Sequence, residues 1–335
     1  MGTFARRVEI EREKREGGAF HLLQLEREES RRGRARRKLN ASLRRMEPVL
    51  LQTPRWSEPQ PFLEGVAMEL AVSQPSISCR TLPLDGLRGQ APHLSWRRIL
   101  MGLAQLSADR WAEASVPYVA SNTGFQAAAV ELLLRAQERN DATAIFLHGV
   151  DGLSLEVIEA LSGAWNLFSE EVDEERMVTM LLASELEFGA DDSLLEGARG
   201  IQLSDFSRGE GGLFVVGEGG NDYERELAWE FAGGVPALLG AMARGSRRLG
   251  GVPRSSSGML RALGDVGREV QGVVSSLGAD PQLADRIEEL AWDGPSEERE
   301  IDVPLVRAGL VARDVGPRRV ESRLRASAFA SMLEG

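Results

Sequence analysis

The chain has 335 residues, 42% of them apolar. That is long enough for two or three domains and too apolar for a disordered protein. No apolar run approaches the roughly 20 residues of a membrane span. Cys79 is the only cysteine, and His21, His93 and His148 show no metal-ligand spacing, so an internal disulfide and a thiolate zinc site are excluded. The net charge of −11 is uneven: residues 1–45 carry 14 basic and 7 acidic side chains against 26 and 44 in the remainder. The acidic body argues against broad nucleic-acid binding, and the basic start argues for one local contact with something acidic.

The first residues, MGTFARRVEIEREKRE, mix both charges without an apolar core, and Arg6 breaks the myristoylation pattern. The expectation is a soluble, cytoplasmic protein without a membrane partner. Residues 1–46 read as a basic helical arm, interrupted at Gly17-Gly18. Its candidate nucleic-acid contacts are Arg31, Arg32, Arg34, Arg36, Arg37, Lys38, Arg44 and Arg45. A solvated helix face is the plainer alternative, and no aromatic residue interleaves the block to stack on bases.

Strand-like and helix-like runs then alternate. The strands are Val49 to Leu51, Arg80 to Leu84, Thr143 to Leu147, Val178 to Ala183 and Gly200 to Leu203. Helices are expected at Phe62 to Ala71, Ser95 to Leu106, Gly124 to Arg139 and Leu155 to Phe168. Alternation of this kind predicts an α/β fold with a parallel, doubly wound sheet over residues 47–204. ATAIFLH is nearly all apolar, as a central buried strand should be. From residue 205 helices dominate, first over 205–252 and then over 253–335, with LGGVPRSSSG as the hinge between them. The chain's last stretch offers a short helix, a turn at Gly309, two strands around Gly316-Pro317 and a final helix, the ending of a winged-helix module. Arg318, Arg319 and Arg323 lie there as further nucleic-acid candidates.

Within VLLQTPRWSEPQPFLEGVAMELA, residues 49–71, a short strand, a turn-rich loop and an amphipathic helix follow in the order of a phosphate-binding loop. Together with FLHGVDG, MLLASE and GGVPALL further along, this order resembles the AAA+ and STAND group of P-loop ATPases, including initiator and transposition-regulator branches that carry a C-terminal winged helix. The resemblance spans residues 48–334 and implies a P-loop NTPase-like sheet over 47–204, a helical lid over 205–252 and a winged-helix-like domain over 253–335.

The family's motifs are damaged where they match. In G-x-x-x-x-G-K-[ST], loop amides cradle the phosphates, lysine reaches the outer ones and the hydroxyl holds magnesium. Thr53 and Glu58 stand at the glycines, Pro59 at the lysine and Gln60 at the hydroxyl residue. Pro54, Pro59 and Pro61 lack an N–H, and Glu58 brings charge that repels phosphate. The family's second motif ends a strand in Asp-Glu, for magnesium and for the attacking water; here His148 and Gly149 stand there. Ser184 matches the polar residue after the next strand, and Pro236 of Gly234-Val235-Pro236 matches the proline that lies against the base in STAND proteins. Gly234-Val235-Pro236 also reads as an ordinary helix stop and restart, and His148 as a strand-end residue with a local hydrogen bond.

Loss of both motifs removes most of the positioning on which phosphoryl transfer depends. The sequence therefore predicts a non-hydrolysing scaffold or adaptor without catalytic residue, metal or cofactor, whose partner is a protein, an active ATPase relative or another copy. A nucleic-acid-binding accessory factor is the alternative, and an ATPase completed by a neighbouring subunit is the third. GLSLEV lacks the frame of a nucleophile elbow, and VVGEGGND falls between helices rather than after a sheet strand.

Overall fold

A computed structural model describes residues 31–335 apart from 106–115, 117, 140–141, 173–175, 186–193, 218–221, 252, 254, 294, 314–318, 325–327, 329–331 and 333–335. The chain divides into two compact units, one of residues 35–204 and one of 205–335 with the residues up to Arg34.

The first unit is built on five parallel strands: β1 (Val49–Gln52), β2 (Ile77–Pro83), β3 (Ala142–His148), β4 (Val178–Ser184) and β5 (Arg199–Gln202), in the order β2-β3-β4-β1-β5. β3 and β4 are apolar throughout their centres because helices cover both sheet faces. Successive side chains point to opposite faces, so Ala144, Phe146, Leu181 and Ala183 enter one core while Ile145, Leu147, Met180 and Leu182 enter the other. The first core is closed by α1 (Arg31–Arg44) and α2 (Pro59–Ser73). The second is closed by α3 (Pro92–Ala104), α4 (Asn122–Gln137) and α5 (Leu155–Glu171), around Trp96, Phe125, Trp165 and Phe168.

The expected solvated arm differs from what is found over its second half. Ala35, Leu39 and Leu43 recur at one-turn spacing and are buried against the sheet, so Ala35–Arg44 is a core helix with a basic outer face. Residues 1–30 lie outside the described residues.

After β1 the chain runs to β2 at the far edge, whereas after β4 it crosses β1 to reach β5. The direction of winding therefore reverses between β1 and β4. In open α/β sheets the crevice at the C-terminal ends of such strands is where ligands bind.

The second unit contains α6 (Arg208–Gly217), α7 (Asp222–Ala232), α8 (Pro236–Leu249), α9 (Ser256–Gly278) and α10 (Pro281–Asp293). A small antiparallel sheet of β6 (Ser296–Glu297), β7 (Val311–Arg313) and β8 (Arg319–Ser322), in the order β6-β8-β7, follows with α11 (Asp302–Arg307). α9 is kinked at Gly264, whose φ of 59° and ψ of −129° suit glycine alone. No described helix is long and apolar enough to cross a membrane.

Candidate functional site

Thr53 continues the sheet by one rung: its N–H donates to the Ser184 carbonyl at 2.7 Å, and on the other side Leu203 N–H donates to the Gln52 carbonyl at 2.8 Å. The loop thus leaves the sheet only after Thr53, at the switch between β1 and β4. It turns tightly, with Ser57 N–H donating to the Pro54 carbonyl at 3.1 Å. Trp56 and Glu58 both hold positive φ, 62° and 47°, a region that non-glycine residues rarely occupy. Trp56 is buried, and the Arg55 guanidinium lies 4.9 Å from its ring centre.

Glu58 caps α2 in the left-handed conformation, with Pro59 in the first turn. Pro59 and Pro61 contribute no N–H, so the helix start offers few amides to an anion. Glu58 also places a carboxylate at the positive end of the helix, where a phosphate would otherwise be favoured. The Gln60 amide donates to Glu64 Oε1 at 2.9 Å and stays on its own helix.

At the end of β3, His148 is buried and its Nδ1 lies 2.9 Å from Asp85 Oδ2. Asp85 stands on a short 3-10 turn after β2, Asp85–Leu87. His148 Nε2 is buried without a hydrogen-bond partner among the described residues. Gly149 has φ 77°, and a Cβ there would come within 2.6 Å of the Asp85 backbone nitrogen. No side chain fits this position without backbone movement.

Ser184 at the end of β4 is buried and its hydroxyl donates to Asp151 Oδ1, which also accepts from Glu185 N–H at 2.8 Å. Asp151 lies on the 3-10 turn Val150–Gly152 that follows β3. It anchors the exit of β4.

No known protein family and no curated protein matches this sequence. Solved structures do. A Walker-type ATPase of Pyrococcus abyssi superposes with a TM-score of 0.57 at 14% identity, covering 91% of this chain and 95% of that one. The fold is P-loop NTPase-like. A RuvB variant of Thermotoga maritima superposes at 0.41 with 15% identity, over 85% and 88% of the two chains. A HORMA, CdnC and Trip13 complex of Escherichia coli superposes at 0.38 with 12% identity, over 68% and 78%.

In this P-loop-type sheet, Thr53, Glu58, Pro59, Gln60, His148, Gly149 and Ser184 gather at the C-terminal ends of β1, β3 and β4. Pro236 belongs to the other unit. There Gly233 closes α7 at φ 59°, Phe206 N–H donates to the Gly234 carbonyl at 2.9 Å, and Pro236 opens α8. Sequence reasoning missed Asp85, 63 positions before its histidine, and gave Asp151 no role. Neither carries a local signal, since each acts on a strand distant in sequence.

The nucleic-acid candidates separate. Arg32 is buried with its guanidinium 4.3 Å from the Phe206 ring centre, and Arg36 stacks on Phe62 at 5.6 Å. Arg44 reaches Ser73 Oγ at 3.4 Å, and Arg45 pairs with Glu47 at 2.7 Å. Arg34, Arg37 and Lys38 form an exposed strip on α1. Arg31 opens that helix, Arg319 opens β8, and Arg318 lies outside the described residues. Arg323 is a correction to the sequence reading. It is buried, paired at 2.7 Å with Asp205 through two nitrogens, and donates to the Gly309 carbonyl, which leaves no guanidinium edge for a phosphate. Cys79 is half-buried, and burial pushes its thiol up to about 11, away from nucleophilic chemistry.

Proposed function

We propose that this P-loop NTPase-like chain no longer hydrolyses nucleotide and works as a scaffold or adaptor for a protein partner, an active ATPase relative or further copies of itself. The observation that carries this reading is the loop after β1. It has the place of a phosphate cradle, yet it is proline-rich, poor in free amides and capped by Glu58. The end of β3 supports the same reading, because His148 is engaged by Asp85 and Gly149 has no room for a catalytic carboxylate. A magnesium nucleotide does not fit these residues, and no cofactor is assigned.

Titration calorimetry of the full chain with ATP and magnesium, alongside phosphate release, tests this. The expected outcome is no binding heat and no release. Magnesium-dependent binding with turnover overturns it. If a Glu58→Ala change then altered the rate, an atypical ATPase site completed by a neighbouring subunit would replace the adaptor reading.

The exposed strip Arg34, Arg37 and Lys38 favours a second reading, a nucleic-acid accessory factor. The order β6-β8-β7 with α11 supports a winged-helix reading of the C-terminal module. Gel shifts over a salt series decide it: binding through these cations must weaken steeply with salt and fall on Arg37→Glu.

A further inference from the structure

β2 is an edge strand that pairs with β3 alone among the described strands. Its seven residues give an edge of roughly 23 Å that no other described strand pairs with, a row of main-chain donors and acceptors suited to another strand. Two hollows lie along it. Cys79, Thr81 and Leu82 line a cavity of about 270 Å³ with Gly102 and Ile145. At the strand's end Pro83 opens a groove of about 580 Å³ with Leu87, Leu94, Met101, Arg97 and Arg98. Leu94 is 47% exposed there, although it is a large apolar side chain.

Among the described residues arginines predominate around this edge, and the exposed carboxylate on the adjoining turn, Asp85, is engaged by His148. Arg80, Arg88, Arg97 and Arg98 are all exposed, and among the described residues none of their guanidiniums makes an ion pair or hydrogen bond. Elsewhere arginines of this acid-rich chain find carboxylates, as Arg135 does with Glu131, Arg299 with Glu289 and Arg313 with Glu298. Four exposed guanidiniums without a partner among the described residues, beside an apolar groove and a strand edge that no described strand covers, form a surface complementary to an anionic, partly apolar chain in extended conformation.

We propose that the β2 edge and its groove dock an extended acidic segment of a partner protein, added as a sixth strand. The partner's backbone would bond to β2, alternate apolar side chains would enter the two hollows, and carboxylates would meet Arg97 and Arg98. A polypeptide is favoured over nucleic acid because the lining residues include no aromatic ring for base stacking, while a strand edge offers pairing only to a peptide backbone. The proposal names a partner class for the adaptor reading and rests on that reading for its purpose.

The test is fluorescence anisotropy of the full chain with a fluorescein-labelled peptide of alternating leucine and glutamate. A leucine–lysine peptide and a labelled single-stranded oligonucleotide serve as counterparts. The leucine–glutamate peptide should bind saturably, more weakly at high salt, and better than either counterpart. The double change Arg97→Glu, Arg98→Glu should cut its affinity about tenfold or more without lowering the melting temperature. Leu94→Asp, which removes the apolar contact instead of the charge, should do likewise. No saturable binding, tighter binding of the oligonucleotide, or an affinity indifferent to both variants overturns the proposal. No ATP is present in this assay, so its failure leaves the non-hydrolysing reading standing, and ATP turnover would fell that reading without touching this one.

Discussion

Glu58 holds φ 47° and ψ 71° at the head of α2 without a side-chain cap bond, a conformation that costs a residue with a Cβ on the order of 1 kcal/mol. Glycine adopts it freely. Glu58→Gly is therefore expected to raise stability by about 1 kcal/mol in urea unfolding, and under the proposed reading it should still give no binding heat with ATP, because Pro59 and Pro61 withhold their amides. Gly149 poses the opposite case. It too has positive φ, but a Cβ there would also collide with the Asp85 backbone. Gly149→Glu, which rewrites the hydrolytic carboxylate into its motif position, should cost about 3 kcal/mol or more. Gly89→Ala is the control. Gly89 has φ 71° with open space around it, so backbone strain alone should cost about 1 kcal/mol. Comparable melting shifts for the two would mean that the Asp85 contact yields easily.

Between α10 and α11, charged groups are drawn into a network. Asp302 is fully buried and accepts from Arg286 Nε and Nη2 at 2.8 and 2.9 Å and from Arg299 N–H at 2.7 Å. Burial by itself would raise its carboxyl, but these hydrogen bonds outweigh it and hold the group below the ordinary carboxylate range. A carboxyl depressed in the folded chain contributes stability that is present above its unfolded value, near pH 4, and is lost as pH falls through the folded value. Asp302→Asn should destabilise by about 3 kcal/mol at neutral pH, since it leaves Arg286 buried beside a neutral amide. It should also flatten the stability curve below pH 4, and an unfolding series across that range reads both effects. This network was illegible in the sequence, because Arg286 and Asp302 sit on two helices and Arg299 on the loop between β6 and α11, with nothing periodic to join them. The regular elements were legible: ATAIFLH and MLLAS are nearly all apolar, and α8 begins at Pro236 and stops at Gly250 with local signals alone. α1 misled for a definite reason. Its charged positions outnumber Ala35, Leu39 and Leu43, and only the three apolar residues decide which face the helix buries. The candidate site was legible as a set of motif positions, while Asp85 and Asp151, which hold its strand ends, needed the fold to bring them near.

The division at Ser204–Asp205 makes a claim about cooperativity. Each unit has its own interior: Leu43 is wholly buried in the core of residues 35–204, and Arg323 is buried within the other unit against Asp205. Chains of separate cores need not unfold in one step. Differential scanning calorimetry of the full chain should resolve two transitions, each answering to one lesion. Leu43→Ala leaves a cavity and should lower the transition of the sheet unit by about 3 kcal/mol. Arg323→Ala leaves Asp205 without its partner in a mostly buried place, and should lower the other transition by a similar amount, about 3 kcal/mol. The double variant should show the sum of both shifts, because the lesions belong to separate units. A single transition that both changes depress equally would mean that the units fold as one cooperative body, and the division by contacts would then have no thermodynamic counterpart.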